Sequence, residues 1–308
     1  MSAIDHANVI SLGQDETAPV KASAPSLLTD YYELTKPRMN FLVVVTTAVG
    51  FYMASALGID WALLLHTVLG TTLTAAGASV LNQYVEREYD KLMPRTRNRP
   101  LAAERVEASH ALIFGVTLGI AGVAYLSFAV NGLTALLGAF TLLSYVFIYT
   151  PLKRITTLNT VIGAVPGAIP PLMGFTAVDG ALSTPALAVF GILFFWQLPH
   201  FLAIAILYRR DYAAAGFLML PVVDEKLDFT GRQILLWGAA LIPVSLTPTL
   251  IHLTGPTYFT AAALLGLAFF TFGISCAISK TRADARKLFF ASIVYLPLLL
   301  GVMMWDKV

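Results

Sequence analysis

Charge is the scarcest thing in this chain of 308 residues. Only 12% of the residues are Asp, Glu, Lys or Arg, while 57% are hydrophobic. An ordinary globular domain carries roughly a quarter charged residues, so a water-soluble fold is the wrong class and a membrane protein of several spans is the right one. Cysteine is almost absent too. The single Cys276 lies in an apolar run, which excludes an internal disulfide and a CxxC metal site. The net charge of +2 gives no basic or acidic excess, so nothing argues for a nucleic-acid partner. The first thirty residues lack an apolar core segment and set Asp5, Asp15 and Glu16 against a lone Lys21, unlike a secretory signal or an Arg-rich transit peptide. Residues 1–30 are expected to be a mostly disordered cytosolic tail, and residues 31–308 a transmembrane domain.

What is present in quantity is apolar sequence. Runs of about 20 residues, enough to cross the hydrocarbon core, occur at 39–58, 62–89, 109–129, 132–150, 157–178, 185–208, 232–252, 257–278 and 286–305. This predicts an all-α bundle of about nine transmembrane helices in the lipid bilayer, the fifth broken by Pro166, Pro170 and Pro171. An odd number of spans puts the two ends of the chain on opposite sides. Of the 20 Lys and Arg residues, all but Lys307 then fall on one side, in the segment before the first span and in the loops after spans two, four, six and eight. The positive-inside rule assigns that side to the cytoplasm. The opposite side offers little beyond Asp60, Asn131, Asp179 and His252, so chemistry is expected at the cytoplasmic face.

Against this background the stretch from Asn82 to Leu101, NQYVEREYDKLMPRTRNRPL, stands out. Asn82, Glu86 and Asp90 are spaced i, i+4, i+8, and each four-residue step turns a helix about 400° and advances it ~6 Å. All three therefore line one helical face at the cytoplasmic end of the second span. Pro94 disfavours helix at Met93, and Arg95, Arg97 and Arg99 follow at once. Oxygen ligands beside guanidinium groups suit a magnesium–phosphate site, because Mg²⁺ takes one or two carboxylates together with water and phosphate oxygens, and arginine binds phosphate with paired hydrogen bonds. A solvated interfacial loop that only sets topology is the plainer alternative. Stacked carboxylates at a membrane edge favour the site.

Two further polar stretches occupy the same side. WQLPHFLAIAILYRRDYAAAGFLMLP, Trp196 to Pro221, places Trp196, Gln197 and His200 within or near the sixth span and Tyr208, Arg209, Arg210, Asp211 and Tyr212 at its end. A lone buried histidine is by default a hydrogen-bonding residue between helices. Its company with Gln197 and Asp211 also allows a cavity-facing stripe. YTPLKRITTLN, Tyr149 to Asn159, contributes Lys153 and Arg154, either as topology signals or as contacts for diphosphate oxygens.

Together these stretches resemble the UbiA superfamily of intramembrane prenyltransferases. The pattern stands here as Asn82, Glu86, Asp90, Met93, Arg95, Thr96, Arg99 and Pro100, with TKPR at Thr35–Arg38, YTPLKR at Tyr149–Arg154, NTVIGAVPGAIPPLMG at Asn159–Gly174, DYAAAG at Asp211–Gly216 and YLPLLL at Tyr295–Leu300. The PPLMG stretch and WQLPHF at Trp196–Phe201 resemble its haem-modifying, farnesyl-transferring branch. Glu86 stands where aspartate is more usual, and Leu218 where many relatives carry proline. The resemblance implies a UbiA-type bundle with a cytoplasm-facing active-site cavity, in the cytoplasmic (inner) membrane of a bacterium. It implies farnesyl diphosphate and haem B as substrates, Mg²⁺ as cofactor, and a haem A synthase or oxidase assembly factors as partners. Asn82, Glu86, Asp90 and Asp211 would hold the metal. Arg38, Arg95, Arg99, Lys153 and Arg154 would contact diphosphate, Tyr149 and Tyr208 would face the allylic cation, and Trp196 and His200 would contact haem. A UbiA-type enzyme with an aromatic quinone-precursor acceptor is the nearest alternative. A small-solute transporter is more distant, because its charges would sit near the bilayer midplane.

Overall fold

The computed structural model describes residues 26–56 and 58–308. The chain runs through α1 (Leu27–Leu34), α2 (Pro37–Ala54), α3 (Trp61–Asp90), α4 (Ala108–Ala129), α5 (Gly132–Leu143), a π-helical segment (Ser144–Tyr149), α6 (Thr150–Leu152), α7 (Asn159–Asp179), α8 (Thr184–Leu207), α9 (Arg209–Ala214), α10 (Leu220–Val223), α11 (Asp228–Leu250), α12 (Pro256–Ser279) and α13 (Arg282–Trp305). Most of the tail expected at 1–30 lies outside the described residues. Its last residues are instead the first turn of α1, capped by the Ser26 hydroxyl, which accepts from the Thr29 amide.

Eight of the described helical units are long and apolar enough to cross a membrane: α3, α4, the continuous Gly132–Leu152 unit, α7, α8, α11, α12 and α13. The first of the nine expected spans is α2, which has 18 residues and carries Arg38 and Asn40 in its first turn, and it falls short of that standard. Phe128 is 92% exposed and Ile278 76% exposed. A water-soluble bundle would bury such side chains, whereas here they form the outer wall of a polytopic membrane protein.

Contacts between helix ends fix the alternation. Lys36 before α2 reaches Asn82 near the end of α3, Glu86 of α3 meets Lys153 just after α6, and Lys280 after α12 meets Asp228 at the start of α11. At the far end the Lys307 ammonium donates to the carbonyls of Tyr52 (2.7 Å) and Ser55 (2.8 Å), where α2 stops. Lys307 thus donates to carbonyls at a helix C-terminus, where a cation is favoured.

Close backbone approach positions two of the helices that border the site. A Cβ on Gly50 would lie 2.1 Å from the Pro171 carbonyl oxygen, and one on Gly174 2.1 Å from that of Thr47, so α2 and α7 pack backbone to backbone. This contact bears on the break expected in the fifth span. The structure shows α7 as one helix through Pro166, Pro170 and Pro171. Proline removes an N–H but keeps a helical φ, and the tight packing on α2 holds the backbone in place. The irregularity falls instead one helix earlier. Pro151 has no N–H to give back to the preceding turn, and the chain before it widens into the π-helical turn Ser144–Tyr149.

Candidate active site

Asn82, Glu86 and Asp90 form one buried face on the last turns of α3, with exposures of 1%, 4% and 1%. The spacing read from the sequence is realised, and each of the three is already paired with a cation. The Lys36 ammonium donates to Asn82 Oδ1 at 2.7 Å. The Lys153 ammonium lies 2.6 Å from Glu86 Oε1. Arg99 Nη1 contacts both Asp90 oxygens, at 2.9 and 2.8 Å. The Thr96 hydroxyl donates to the Asp90 carbonyl at 2.9 Å and so folds the arginine segment back over the helix end. Lys36 adopts φ 49°, an uncommon left-handed conformation for a non-glycine residue, held here where its side chain enters the cavity.

These groups line a cavity of about 180 Å³, walled by Tyr145 and Tyr149 of the π-helical turn and roofed by Tyr212, Phe217 and Met219. It holds four cations, Lys36, Arg95, Arg99 and Lys153, against the two carboxylates. The field reshapes the lysines in opposite ways. Burial, with Arg99 adding repulsion, pushes Lys36 down to about 7. Burial also works against Lys153, but the Glu86 carboxylate outweighs it and raises that pKa. The Lys153 ammonium sits 4.6 Å from the Tyr149 ring centre. Arg95 stacks on Tyr208 at 4.8 Å and reaches the Tyr212 hydroxyl at 3.4 Å, tying the loop after α3 to α9.

Several expected members of the site lie elsewhere. Asp211 lines a separate depression with Arg209, Arg210 and Arg282. Neighbouring residues on a helix point about 100° apart, and it is Tyr212 that turns into the cavity. Tyr208 reaches the site only through Arg95. Arg38 is exposed. Arg154 stacks on Tyr89 at 4.4 Å and bonds its hydroxyl, outside the cavity. Trp196 and His200 tie α8 to α13: the indole N–H donates to the Ser292 carbonyl at 2.9 Å, and His200 Nδ1 bonds the Ser292 hydroxyl at 2.6 Å. His200 is stacked between Trp196 and Phe289. The sequence reading gave Lys36, Tyr145 and Tyr212 no role at the site. Lys36 lies in the TKPR stretch, and its place directly before a helix-starting proline was the available signal.

Among the described residues no three His, Cys, Asp or Glu side chains converge as a self-sufficient metal cluster. The donors present are two carboxylates and an amide oxygen, all hard ligands and too few to enclose an ion. That set fits Mg²⁺, which completes its shell with water and substrate phosphate.

The UbiA prenyltransferase family pattern matches residues 43–294. A protoheme IX farnesyltransferase of Solibacter usitatus is 47% identical over 287 residues, covering 90% of this chain and 98% of the relative. One from Koribacter versatilis is 42% identical over 305 residues, covering 94% and 98%. Among solved structures, that of a digeranylgeranylglyceryl phosphate synthase superposes with a TM-score of 0.75 at 17% identity, covering 91% of this chain and 98% of that one. A UbiA homologue from Archaeoglobus fulgidus bound to DMAPP and Mg²⁺ superposes with a TM-score of 0.66 at 15% identity, covering 89% and 99%. The structures share the fold, the relatives align over nearly the whole chain, and the family pattern spans most of the bundle: the chain belongs to the UbiA prenyltransferase family.

Proposed function

We propose that this UbiA-family protein transfers a farnesyl group from farnesyl diphosphate to a vinyl group of haem B, releasing diphosphate and giving haem O. The acceptor rests on one observation, the 47% identity to a protoheme IX farnesyltransferase across 90% of the chain. The geometry supports the leaving-group chemistry. The allylic C–O bond ionises only if charge developing on diphosphate is neutralised. Asn82, Glu86 and Asp90 are the proposed metal ligands, and Lys36, Arg95, Arg99 and Lys153 the proposed diphosphate contacts. Bound Mg²⁺ would supply Lewis acidity at the leaving oxygens. Lys153 and Arg99 would pass from the carboxylates to the phosphate oxygens as substrate enters. Tyr149 and Tyr145 line the cavity, and tyrosine ring faces attract positive charge such as that of an allylic cation. The apolar roof of Phe217 and Met219 keeps water away until the terminal vinyl carbon has bonded to farnesyl C1. Water then adds to the carbon next to the porphyrin and loses a proton.

The cation distribution supports a cytoplasmic position for the site in a bacterial inner membrane, with diphosphate returned to that side and haem O passed to a haem A synthase or oxidase assembly factor. Incubating membranes that contain the protein with farnesyl diphosphate and either haem B or 4-hydroxybenzoate tests the acceptor. A farnesylated haem is expected, and product from the benzoate alone overturns the proposal. Asp90→Ala is expected to abolish transfer while the protein stays inserted and folded, and full activity in excess EDTA would exclude the metal.

A further inference from the structure

The side-chain amide of Asn82 has one end that can ligate a cation and one that repels it. The two ends are nearly identical in shape, so something other than packing has to choose between them. Asn82 Nδ2 donates to Thr150 Oγ1 at 3.0 Å, and both residues are buried. The Thr150 hydroxyl has a single hydrogen, which it gives to the Tyr145 carbonyl at 2.8 Å. Toward Asn82 it can therefore only accept, and only the NH₂ end of the amide satisfies it. The oxygen end is left facing the cavity, where the Lys36 ammonium holds it at 2.7 Å.

The backbone around Thr150 makes this arrangement. A threonine hydroxyl in a helix ordinarily bonds the carbonyl three or four residues earlier. Thr150 bonds the fifth, because it closes the π-helical turn, and its own amide donates to the same Tyr145 carbonyl. Pro151 directly after it keeps the turn from tightening.

We infer that Thr150 is a positioning residue that fixes the Asn82 amide with its oxygen toward the cavity, making Asn82 an oxygen ligand for a divalent cation. This rests on the reading of Asn82 as a metal ligand given above. Thr150 touches no substrate in this scheme and acts only through Asn82.

The test uses the full chain in detergent micelles with Mn²⁺ as the probe. Bound and free ion are read by electron paramagnetic resonance in the presence of farnesyl thiolodiphosphate, whose C–S bond does not ionise. Thr150→Val keeps the shape and removes the acceptor. It is expected to weaken Mn²⁺ binding about tenfold or more, the usual effect of losing a residue that orients a metal ligand, while Thr150→Ser stays within about twofold of the parent. Asn82→Asp supplies the discriminating background, because a carboxylate presents oxygen whichever way it turns. Adding Thr150→Val to Asn82→Asp is expected to change Mn²⁺ affinity by no more than about twofold. An unchanged affinity in Thr150→Val overturns the inference. So does a loss of equal size in both backgrounds, which would mark Thr150 as a packing residue only. If Thr150→Val fails to fold, Thr150→Ala carries the same expectations. Asn82→Ala separates the two levels: parental Mn²⁺ affinity there defeats the metal reading itself, whereas weak binding there with parental affinity in Thr150→Val defeats the Thr150 inference alone.

Discussion

At the scale of single residues, the site is a set of charges that need one another. Glu86 is buried and Lys153 largely so, with 5% and 12% of their side chains exposed. Lys153→Met is expected to leave Glu86 charged and without its partner, lowering stability by about 3 kcal/mol, as breaking a buried pair does. Thermal unfolding in detergent measures the loss, and Mg²⁺ added with diphosphate is expected to recover part of it. The acid face of Asn82, Glu86 and Asp90 was legible because helical spacing alone aligns it. Its partners were harder to read. Arg38 carries the more conspicuous charge of the TKPR stretch, yet α2 turns it outward, and Lys36 enters the cavity through a left-handed backbone that no periodicity encodes. Asp211 and Tyr212 show the same limit, since a break at Tyr208 rotates α9 and exchanges which neighbour points inward.

At the scale of elements, the strap between α8 and α11 is joined to the site by one backbone bond. The Leu218 amide donates to the Lys153 carbonyl at 2.6 Å, and Asn159 Nδ2 donates to the Leu218 carbonyl at 3.0 Å. The proline expected at this position in many relatives could not make the first bond. Leu218→Pro is accordingly expected to cost about 1 kcal/mol in thermal unfolding while leaving transfer nearly intact. Gly174→Ala is a harsher change. Its Cβ would collide with the backbone of α2 at Thr47, where no flexible side chain can give way. A loss of about 4 kcal/mol or more, seen as loss of folded protein after detergent extraction, is expected. The positions of the helices were legible from apolar runs. Their internal condition was not: three prolines leave α7 whole, while Pro151 widens the turn before it, because neighbouring backbones decide the outcome and they are distant in sequence.

At the scale of the whole molecule, the bundle has one basic end and one nearly uncharged end. With Cys276 replaced by Ser, a cysteine at Asn98 is expected to react with a membrane-impermeant maleimide only from the cytoplasmic side, and one at Ala181 only from the other. The reverse pattern overturns the orientation. The size of the cavity carries a second expectation. Pockets for drug-sized ligands usually run to about 300–1,000 Å³, and about 180 Å³ is too little for a fifteen-carbon chain beside a macrocycle. If both substrates bind in this cavity, the roof of Tyr212, Phe217 and Met219 is expected to move. A disulfide between cysteines placed at Arg95 and Tyr212 is expected to hold the roof shut, so that reduction raises turnover above that of the oxidised form, to a level still below the parent because Arg95 is missing.

The three internal pairs, Lys36 with Asn82, Lys153 with Glu86 and Arg99 with Asp90, make the resting site its own antidote to stray ions. If these residues hold a divalent cation as proposed, one arriving alone would have to evict ammonium and guanidinium groups that then have nowhere to go. Arriving with an anion, it gives them a destination. Because linked binding is reciprocal, each partner recruits the other. On the proposed metal reading, the site would stay empty in a metal-containing cell and would fill only when both halves of its charge are delivered together.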